Sequence, residues 1–251
     1  MKMNNKNNKM YALILAGGKG ERLKPLTNTV PKPMIPILGK PMIWYQLKWL
    51  EYYKIKNVII LTGYKWKIIQ DYLSKQKNSF NLNIEMLHEE TPLGRGGAFR
   101  YGLSCVPKNI DLFIALNGDE ITPLNLSILL KYHKDAGNVT TIVLSKLRSP
   151  FGVVKINNDN KITGFEEKAV LPVWISTGIY VMNRNIENIL PKIGDHEDTT
   201  FPRLAKNGEL GGYKNPNEWI TVNNQKELKE AEEMITKLKN NIEWLRTLEQ
   251  S

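Results

Sequence analysis

Short runs of consecutive apolar residues alternate with amphipathic stretches along most of the chain. The apolar runs are YALILA, NVIILTG, LNIEMLH and DLFIALNGD, and the stretches between them are PMIWYQLKWLEYY, KWKIIQDYLSK and GGAFRYGLSCV. Strands that are apolar on consecutive positions are typical of strands buried on both faces, and helices between such strands imply parallel crossovers. The pattern therefore predicts an α/β fold with a doubly wound, mostly parallel sheet, in which ligands bind beyond the carboxyl ends of the strands.

The pattern changes after Pro150, where the segments become shorter. FGVVKI, KITGFEE and WISTGIYVM are separated by the turn-like NNDNK and AVLP, which predicts a small β-rich lobe joined to the sheet. A stretch from Gln225 onwards is helical in pattern, and its apolar residues recur at alternating spacings of three and four. This seam consists of Leu228, Ala231, Ile235, Leu238, Ile242 and Leu245. The seam leaves two interpretations open, docking against the chain's own body or contact with a second subunit in a homo-oligomer.

The expected organisation has three parts. Residues 1–9 are almost entirely Asn and Lys and predict a disordered tail. Residues 10–235 form the main domain, with a first half at about 10–148 and a second half at about 149–224, and residues 225–251 form a C-terminal helix. The segment GDHEDTTFPRL predicts a helix start with Asp195 close to its cap.

Composition narrows the class of partner only slightly. The 251 residues carry a formal charge of +10, which favours anionic ligands. Nevertheless, the chain lacks a helix-turn-helix, zinc or aromatic stacking signature, so we expect no nucleic-acid partner. The single cysteine, Cys105, excludes an intramolecular disulfide and is expected to pack on an apolar helix face. YALILA is too short for a signal segment or a membrane span, so we expect a cytoplasmic protein without a membrane partner.

The stretch LILAGGKGERLKPLT, residues 13–27, places three glycines directly after a predicted strand. Gly17, Gly18 and Gly20 allow backbone N–H groups to approach an anion closely, because no Cβ intervenes. A dinucleotide-binding fingerprint would have its third glycine at Leu23, and Pro25 soon ends any long helix. The Gly-Lys-Ser/Thr of a P-loop is also missing at the required spacing. The loop is therefore a candidate phosphate cradle of another kind.

A proline-rich segment, ERLKPLTNTVPKPMIPILGKPM, continues from this loop. Prolines restrict the course of the chain and thereby limit the freedom of Arg22 and Lys32, which suits cations that meet a multiply charged phosphate. The combined run AGGKGERLKPLT…PKPMIPI…KPM resembles the signature of the sugar-1-phosphate nucleotidylyltransferases, and the resemblance extends over about residues 11–235.

This resemblance implies a Rossmann-like, glycosyltransferase-A-like fold and transfer of a nucleotidyl group from a nucleoside triphosphate to a sugar 1-phosphate, in nucleotide-sugar and polysaccharide biosynthesis. It implies that Arg22 and Lys32 hold the departing pyrophosphate. The nucleotide-binding residues that it implies around the first loop are Leu15, Ala16, Gly17, Gly18, Gly20 and Gly118.

A second loop, HEETPLGRGGAFRYGL at residues 88–103, resembles the family's E-x-x-P-L-G-T-x-G-A segment. The resemblance implies that this segment lines the base and ribose through Glu89, Pro92, Leu93, Gly94, Gly97 and Ala98. Arg95 stands where the family commonly has a small residue. Two roles stay open for this arginine, contact with a phosphate or simple solvation.

The segment ALNGDE predicts a metal site, because a carboxylate at the carboxyl end of a strand is well placed for a hard divalent cation carried by phosphates. The resemblance implies Mg²⁺ on Asp119. The family's second metal aspartate is missing, since Thr221 and Asn223 occupy its two possible positions. Asn223 offers a carbonyl oxygen without a charge. Three explanations stay open: the metal arrives on the triphosphate, Glu120 compensates, or activity is reduced.

The resemblance places the sugar phosphate in the second half of the chain. FGVVKINNDNKITGFEEK and WISTGIYVM imply contacts from Gly152, Glu167, Lys168, Thr177 and Gly178. A phosphate monoester has a second pKa of about 6, so a sugar 1-phosphate is already a nucleophile at neutral pH and needs no general base.

The expected catalytic residues are Arg22, Lys32, Asp119 and Lys168. PLGRGGA with FGVV…FEEK is most similar to members that use GTP with mannose or heptose 1-phosphate. The alternatives are a thymidylyl-, uridylyl- or cytidylyltransferase acting on glucose 1-phosphate, or a weakly active or inactive nucleotide-sugar binding or regulatory module.

Overall fold

The computed structural model describes residues 9–217, 219–239 and 242–246. The predicted disordered tail therefore lies outside the described residues except for Lys9, and so do residues 247–251 of the predicted C-terminal helix.

Strands and helices alternate through the first half of the chain. The strands are β1 (Tyr11–Ala16), β2 (Pro36–Ile37), β3 (Lys40–Pro41), β4 (Asn57–Thr62), β5 (Asn83–His88), β6 (Leu112–Asn117), β7 (Glu120–Ile121), β8 (Thr140–Arg148), β9 (Val153–Ile156), β10 (Ile162–Glu166), β11 (Val170–Asn183), β12 (Leu210–Lys214) and β13 (Ile220–Thr221). The helices are α1 (Met42–Tyr52), α2 (Trp66–Lys75), α3 (Gly94–Cys105), α4 (Leu126–Ala136), α5 (Thr200–Lys206), α6 (Gln225–Lys239) and α7 (Glu243–Arg246).

A seven-stranded sheet with the order β12-β8-β11-β6-β1-β4-β5 forms the centre of the molecule. β1 is parallel to both β4 and β6, β4 is parallel to β5, and β8 is parallel to β12. Among the described strands of this sheet, only β11 runs antiparallel to its neighbours, which are β6 and β8. The predicted mostly parallel sheet is confirmed.

Consecutive apolar residues of β1 serve two hydrophobic layers. Leu13 belongs to the layer that includes Phe99 of α3, whereas Ile14 belongs to the layer that includes Leu47 of α1. Both residues of β1 are fully buried. Side chains alternate across a strand, so an uninterrupted apolar run is what a sheet covered by helices on both faces requires.

WISTGIYVM, which the sequence analysis grouped with the small lobe joined to the sheet, forms part of β11 in the central sheet. The carboxyl-terminal part of β11 pairs with β6 from Ile179 to Asn183, and its other edge pairs with β8. The β9–β10 hairpin forms a small sheet of its own. The central sheet therefore contains strands from both predicted halves of the main domain.

The C-terminal seam docks against the chain's own body. Ala231, Ile235 and Leu245 are buried in the hydrophobic cluster that contains α1, and Leu228, Leu238 and Ile242 pack against the same cluster. The structure thus favours docking over a subunit contact for these residues.

Two smaller predictions are wrong. Cys105 is exposed and not packed. The helix predicted near Asp195 begins at Thr200, and Asp195 binds Arg95 instead of capping the helix. Within the described ranges, no helix combines the length and apolar character needed to cross a bilayer.

Candidate active site

A cleft of about 240 Å³ opens beyond the carboxyl ends of β1 and β6, the edge at which parallel sheets bind ligands. It brings together parts of the chain that are more than 80 residues apart. Its lining consists of Leu15, Ala16, Gly18, Gly20, Lys32, Pro33, Arg95, Asn117, Gly118 and Asp119. Eight of these ten residues were named in the sequence analysis, either as contacts for the nucleotide, the pyrophosphate or the metal, or, for Arg95, without a settled role. Pro33 and Asn117 are additional.

The glycines of the cleft are glycines for different reasons. Gly118 donates its N–H to the Leu15 carbonyl at 2.8 Å, and a Cβ at this position would lie 2.3 Å from that oxygen. Gly20 has a φ of +62°, which side chains rarely adopt. Apart from the chain neighbours of Gly18, no atom of the described residues lies within 4 Å of the place where its Cβ would be. Packing therefore requires glycine at position 118 but not at position 18, where the bare backbone faces open space.

Lys32 joins the glycine loop to the carboxyl end of β6 and to the segment after β13. Its ammonium group donates to Asp119 Oδ2 and, at 3.1 Å, to Asn223 Oδ1. The chain thus gathers three of the residues expected from the sequence around one positive charge. An ammonium group between two oxygen ligands shows that the position suits a cation.

Asn223 is itself held between groups of opposite charge. Its Nδ2 donates to Glu227 Oε2 at 3.1 Å, and its backbone N–H donates to the same oxygen at 2.7 Å. Glu227 and Asn224 also bond each other in the manner of a capping box at the start of α6. The Asn223 amide is therefore fixed, with its oxygen towards Lys32 and its nitrogen towards Glu227.

Glu120 is buried and does not line the cleft formed by the described residues, although its carboxylate also interacts with Asp119. Its carboxylate accepts a hydrogen bond of 2.5 Å from the Trp219 indole N–H, and the residue is only 6% exposed. Burial, with the Asp119 charge as the second cause, raises the pKa of Glu120 well above its ordinary range. This placement disfavours the explanation that Glu120 replaces the missing metal aspartate.

The residues present fit a divalent cation only as part of a ligand set. Asp119 and Asn223 supply two oxygen donors with one negative charge, and oxygen donors are what hard cations prefer. Among the described residues, no cluster of three or more His, Cys, Asp or Glu residues is arranged to hold a metal. The remaining ligands would have to come from elsewhere.

The second loop is tied closely to the segment before α5. Glu89 Oε2 accepts the Leu93 N–H at 3.1 Å, and the Gly194 carbonyl accepts the Gly96 and Gly97 N–H groups at 2.9 and 3.2 Å. A Cβ on Gly97 would lie 2.6 Å from the Lys192 carbonyl oxygen. The glycines at the start of α3 are therefore needed for this close packing.

Of the two roles left open for Arg95 by the sequence, simple solvation does not hold, because two acids pair with its side chain. Its guanidinium is held by Asp195 Oδ2 and Glu197 Oε1, each at 2.7 Å, and its backbone N–H donates to Asp195 Oδ1 at 2.8 Å. Hydrogen bonding from Arg95 lowers the pKa of Asp195, whereas burial raises the pKa of Glu197. Between these acids, His196 is fully buried beside Phe99, and burial, followed by the Arg95 charge, lowers the pKa of His196 to about 4.

The residues expected at the sugar phosphate are spread over the second half of the chain. Lys168 has a φ of +55°, and its ammonium group contacts Glu230 Oε1 of α6 at 2.6 Å. The buried Thr177 hydroxyl donates to the Val143 carbonyl at 3.0 Å. A Cβ on Gly152 would overlap the Phe165 ring, and one on Gly178 would overlap Asn117.

Arg22 and Glu167 are exposed and do not line the cleft formed by the described residues. Sequence reasoning missed Glu227, Glu230 and the acids around Arg95. The spacing of Asn224 and Glu227 is a capping-box signal that would have identified one of them.

A family profile and individual relatives both identify this chain as similar to nucleotidyl transferases. The profile of a family described as "Nucleotidyl transferase" matches residues 11–237. A mannose-1-phosphate guanyltransferase of Aspergillus oryzae is 34% identical over 225 residues, which cover 87% of this chain and 62% of that protein. The chain thus spans about 62% of the length of the curated relatives it matches.

Two solved structures of HddC from Yersinia pseudotuberculosis are also similar. One has 26% sequence identity and a TM-score of 0.72, and it covers 90% of this chain and 99% of HddC. The other, a complex of HddC with GMP-PN, has 25% identity, a TM-score of 0.71 and the same coverage.

Proposed function

Because the chain belongs to the nucleotidyl transferase family, we propose that it transfers a guanylyl group from GTP to mannose 1-phosphate or heptose 1-phosphate and releases pyrophosphate. The observation that carries the proposal is the convergence of the glycine loop, Lys32 and Asp119 on one cleft at the carboxyl edge of the sheet. The choice of GTP and mannose is supported by the guanyltransferase relatives and by the GMP-PN complex of HddC.

In the proposed reaction, an oxygen of the sugar phosphate attacks the α-phosphorus of the triphosphate. The bond between the α-phosphorus and the bridging oxygen breaks, and the electron pair leaves with pyrophosphate. The attacking group is already anionic, so the protein's task is to bring two anions together in line. Lys168 would hold the sugar phosphate, and Lys32 with Arg22 would neutralise the departing pyrophosphate.

The proposal assigns substrate contacts to two further groups of residues. Those for the nucleotide are Leu15, Ala16, Gly17, Gly18, Gly20, Glu89, Pro92, Leu93, Gly94, Gly97 and Gly118. Those for the sugar are Gly152, Glu167, Thr177 and Gly178. Gly18 supports the first assignment, because its chain neighbours aside, no described residue comes within 4 Å of the place where its Cβ would be.

The family is generally dependent on a divalent metal, and we propose Mg²⁺ with Asp119 and Asn223 as its protein ligands. Mg²⁺ is usually bound by one or two side-chain oxygens together with substrate phosphates, which matches two donors and one charge. When bound, the metal would supply positive charge against the phosphate oxygens. Of the three explanations for the missing aspartate, arrival of the metal on the triphosphate fits these residues best.

The test is to measure pyrophosphate release with each of five nucleoside triphosphates against a panel of sugar 1-phosphates. We expect GTP with mannose or heptose 1-phosphate to be used fastest. Release with dTTP, UTP or CTP and glucose 1-phosphate instead would establish the alternative substrates. A protein that binds nucleotide but releases no pyrophosphate would be a binding or regulatory module.

Two lysine variants sharpen this test. Lys32→Ala removes the only lysine that lines the described cleft, and we expect a loss of most turnover. Lys24→Ala, an exposed lysine of the same segment, is the matched control and should retain wild-type turnover. Equal rates in Lys32→Ala and wild type would remove Lys32 from the mechanism.

A further inference from the structure

Arg95 lines the cleft, at a position where the family commonly has a small residue. The side chain is 47% exposed, so part of it faces solvent although two of its nitrogens are engaged. Nη2 contacts Asp195 and Nη1 contacts Glu197. Arginine has five N–H donors, so three remain after these two contacts with described residues.

The guanidinium is pre-organised by the packing around it. The segment that carries Asp195 and Glu197 is anchored to the start of α3 by bonds from the Gly96 and Gly97 N–H groups to the Gly194 carbonyl, and from the Gly194 N–H to the Leu93 carbonyl. A ligand that binds Arg95 therefore meets a side chain whose conformational freedom is already restricted. Such pre-organisation reduces the entropy lost on binding.

The charge around Arg95 is unlike the charge around Lys32. Counting only the groups in direct contact, Lys32 faces one carboxylate, Asp119, and one neutral amide, so these three groups have a formal charge of zero. Arg95 faces two carboxylates, so its cluster has a formal charge of −1 when both are ionised. A phosphate oxygen gains less from the second cluster than from the first. The free N–H groups of Arg95 are better suited to neutral acceptors.

We propose that Arg95 reads the base of the nucleotide by donating two hydrogen bonds to O6 and N7 of guanine, an inference that rests on the proposed function. Guanine presents these two acceptors side by side, and a bidentate arginine is the common partner of that edge. Adenine presents a donor in place of O6, and the pyrimidines have no N7. Arg95 is thus a specificity-determining residue for GTP.

The test compares GTP with 7-deaza-GTP, in which a C–H group replaces N7, and with ITP, which keeps both O6 and N7. For the wild-type protein we expect kcat/KM to fall roughly tenfold with 7-deaza-GTP, from the loss of one hydrogen bond to a charged donor. In Arg95→Ala, kcat/KM for GTP should fall by roughly tenfold or more, and GTP and 7-deaza-GTP should become equivalent. Arg203→Ala, an exposed arginine of α5, is the control and should preserve the wild-type ratio.

Three results would overturn the inference. Equal use of GTP and 7-deaza-GTP by the wild-type protein excludes a contact with N7, even if the alanine variant fails to fold. An equal loss with GTP, 7-deaza-GTP, ITP and ATP in Arg95→Ala indicates a phosphate contact. A lowered melting temperature with an unchanged ratio of the two guanine nucleotides indicates a purely structural role.

Failure of the inference is distinguishable from failure of the proposed function. If the wild-type protein releases pyrophosphate with GTP but ignores the change at N7, only the role of Arg95 is wrong. If no nucleoside triphosphate supports pyrophosphate release, the proposed function is wrong, and calorimetric binding of GTP and 7-deaza-GTP still tests the contact with Arg95.

Discussion

Asn223 is the residue at which a single substitution gives the sharpest test of the site's electrostatics. Its amide oxygen lies 3.1 Å from Lys32 Nζ, and its amide nitrogen lies 3.1 Å from Glu227 Oε2. Asn223→Asp replaces the donor that faces Glu227 by an acceptor. The aspartate that the family commonly has here would therefore place its carboxylate directly against that of Glu227.

The magnitude follows from these two distances. Two unit charges 3.1 Å apart interact with about 1 kcal/mol in bulk water and about 5 kcal/mol at an effective dielectric constant of about 20. The new attraction to Lys32 acts over the same distance as the new repulsion from Glu227, so the two largely cancel. What remains is the lost hydrogen bond to a charged acceptor, about 2 kcal/mol. We therefore expect Asn223→Asp to lower the free energy of unfolding by about 2 kcal/mol.

The same reasoning predicts rescue by a second substitution. In Glu227→Gln the side-chain amide at position 227 can donate to Asp at position 223, and Glu227 no longer opposes the attraction to Lys32. Asn223→Asp should then cost little, which gives a coupling energy of about 2 kcal/mol between the two positions. The assay is urea unfolding of the wild-type protein, both single variants and the double variant, in the presence of EDTA.

A matched control separates burial from chemistry. Asn207 Nδ2 donates to Glu209 Oε2 at the same 3.1 Å, but this pair is exposed. Asn207→Asp should cost only a few tenths of a kcal/mol, because solvent screens exposed charges. If Asn223→Asp is equally destabilising with and without Glu227→Gln, the two residues are not coupled and our account of the site's charge is incorrect.

Three further predictions concern pH, the sugar phosphate and the glycine loop. Burial lowers the pKa of His196 to about 4. Above pH about 6.5 the imidazole is neutral in both the folded and the unfolded chain, so it does not change the free energy of unfolding. As the pH falls from 6.5 towards 4, only the unfolded chain is protonated at this residue, which should lower the free energy of unfolding by up to about 3 kcal/mol. Chemical denaturation at pH 7 and pH 4 should show this loss in wild type but not in His196→Phe, and identical losses would refute it. Glu230→Gln frees Lys168 from an ion pair in which both partners are more than a third exposed. Steady-state kinetics should therefore show a KM for sugar 1-phosphate that is lowered by at most about fivefold, with kcat unchanged. An increased KM would show instead that Glu230 helps to position Lys168. Gly18→Ala should have the melting temperature of the wild-type protein but bind nucleotide at least about tenfold more weakly in calorimetry. Gly118→Ala should melt at a lower temperature, because its Cβ would lie 2.3 Å from a carbonyl oxygen. Wild-type affinity in Gly18→Ala would exclude a close approach of the ligand to this backbone.

The central sheet was predictable from sequence because several of its strands consist of consecutive apolar residues that are buried. YALILA, NVIILTG and DLFIALNGD correspond to β1, β4 and β6, three adjacent strands of the sheet. The antiparallel β11 was not predictable in the same way. Its apolar residues match those of a parallel strand locally, and its direction is set by pairing with β6 about 65 residues earlier in the chain. Burial is a local signal, whereas pairing is not.

The candidate site shows the same division between local and distant information. Lys32 and Asp119 could be proposed from the sequence because each lies in a short, specific segment, but the partners that set their environment come from far along the chain. Asn223 is 191 residues from Lys32, and Asp195 is 100 residues from Arg95.

Both departures from the family pattern, Asn223 and Arg95, gain their meaning from such distant acids. Asn223 removes one charge beside Lys32 but binds Glu227 directly behind it, so a negative charge remains nearby. Arg95 adds one charge to the cleft but binds two carboxylates, so it adds donors without adding net positive charge. A double substitution of Asn223 or Arg95 together with an acid that it contacts therefore tests more than the single substitution. Only the double variant shows whether the site requires the charge balance or the side chain itself.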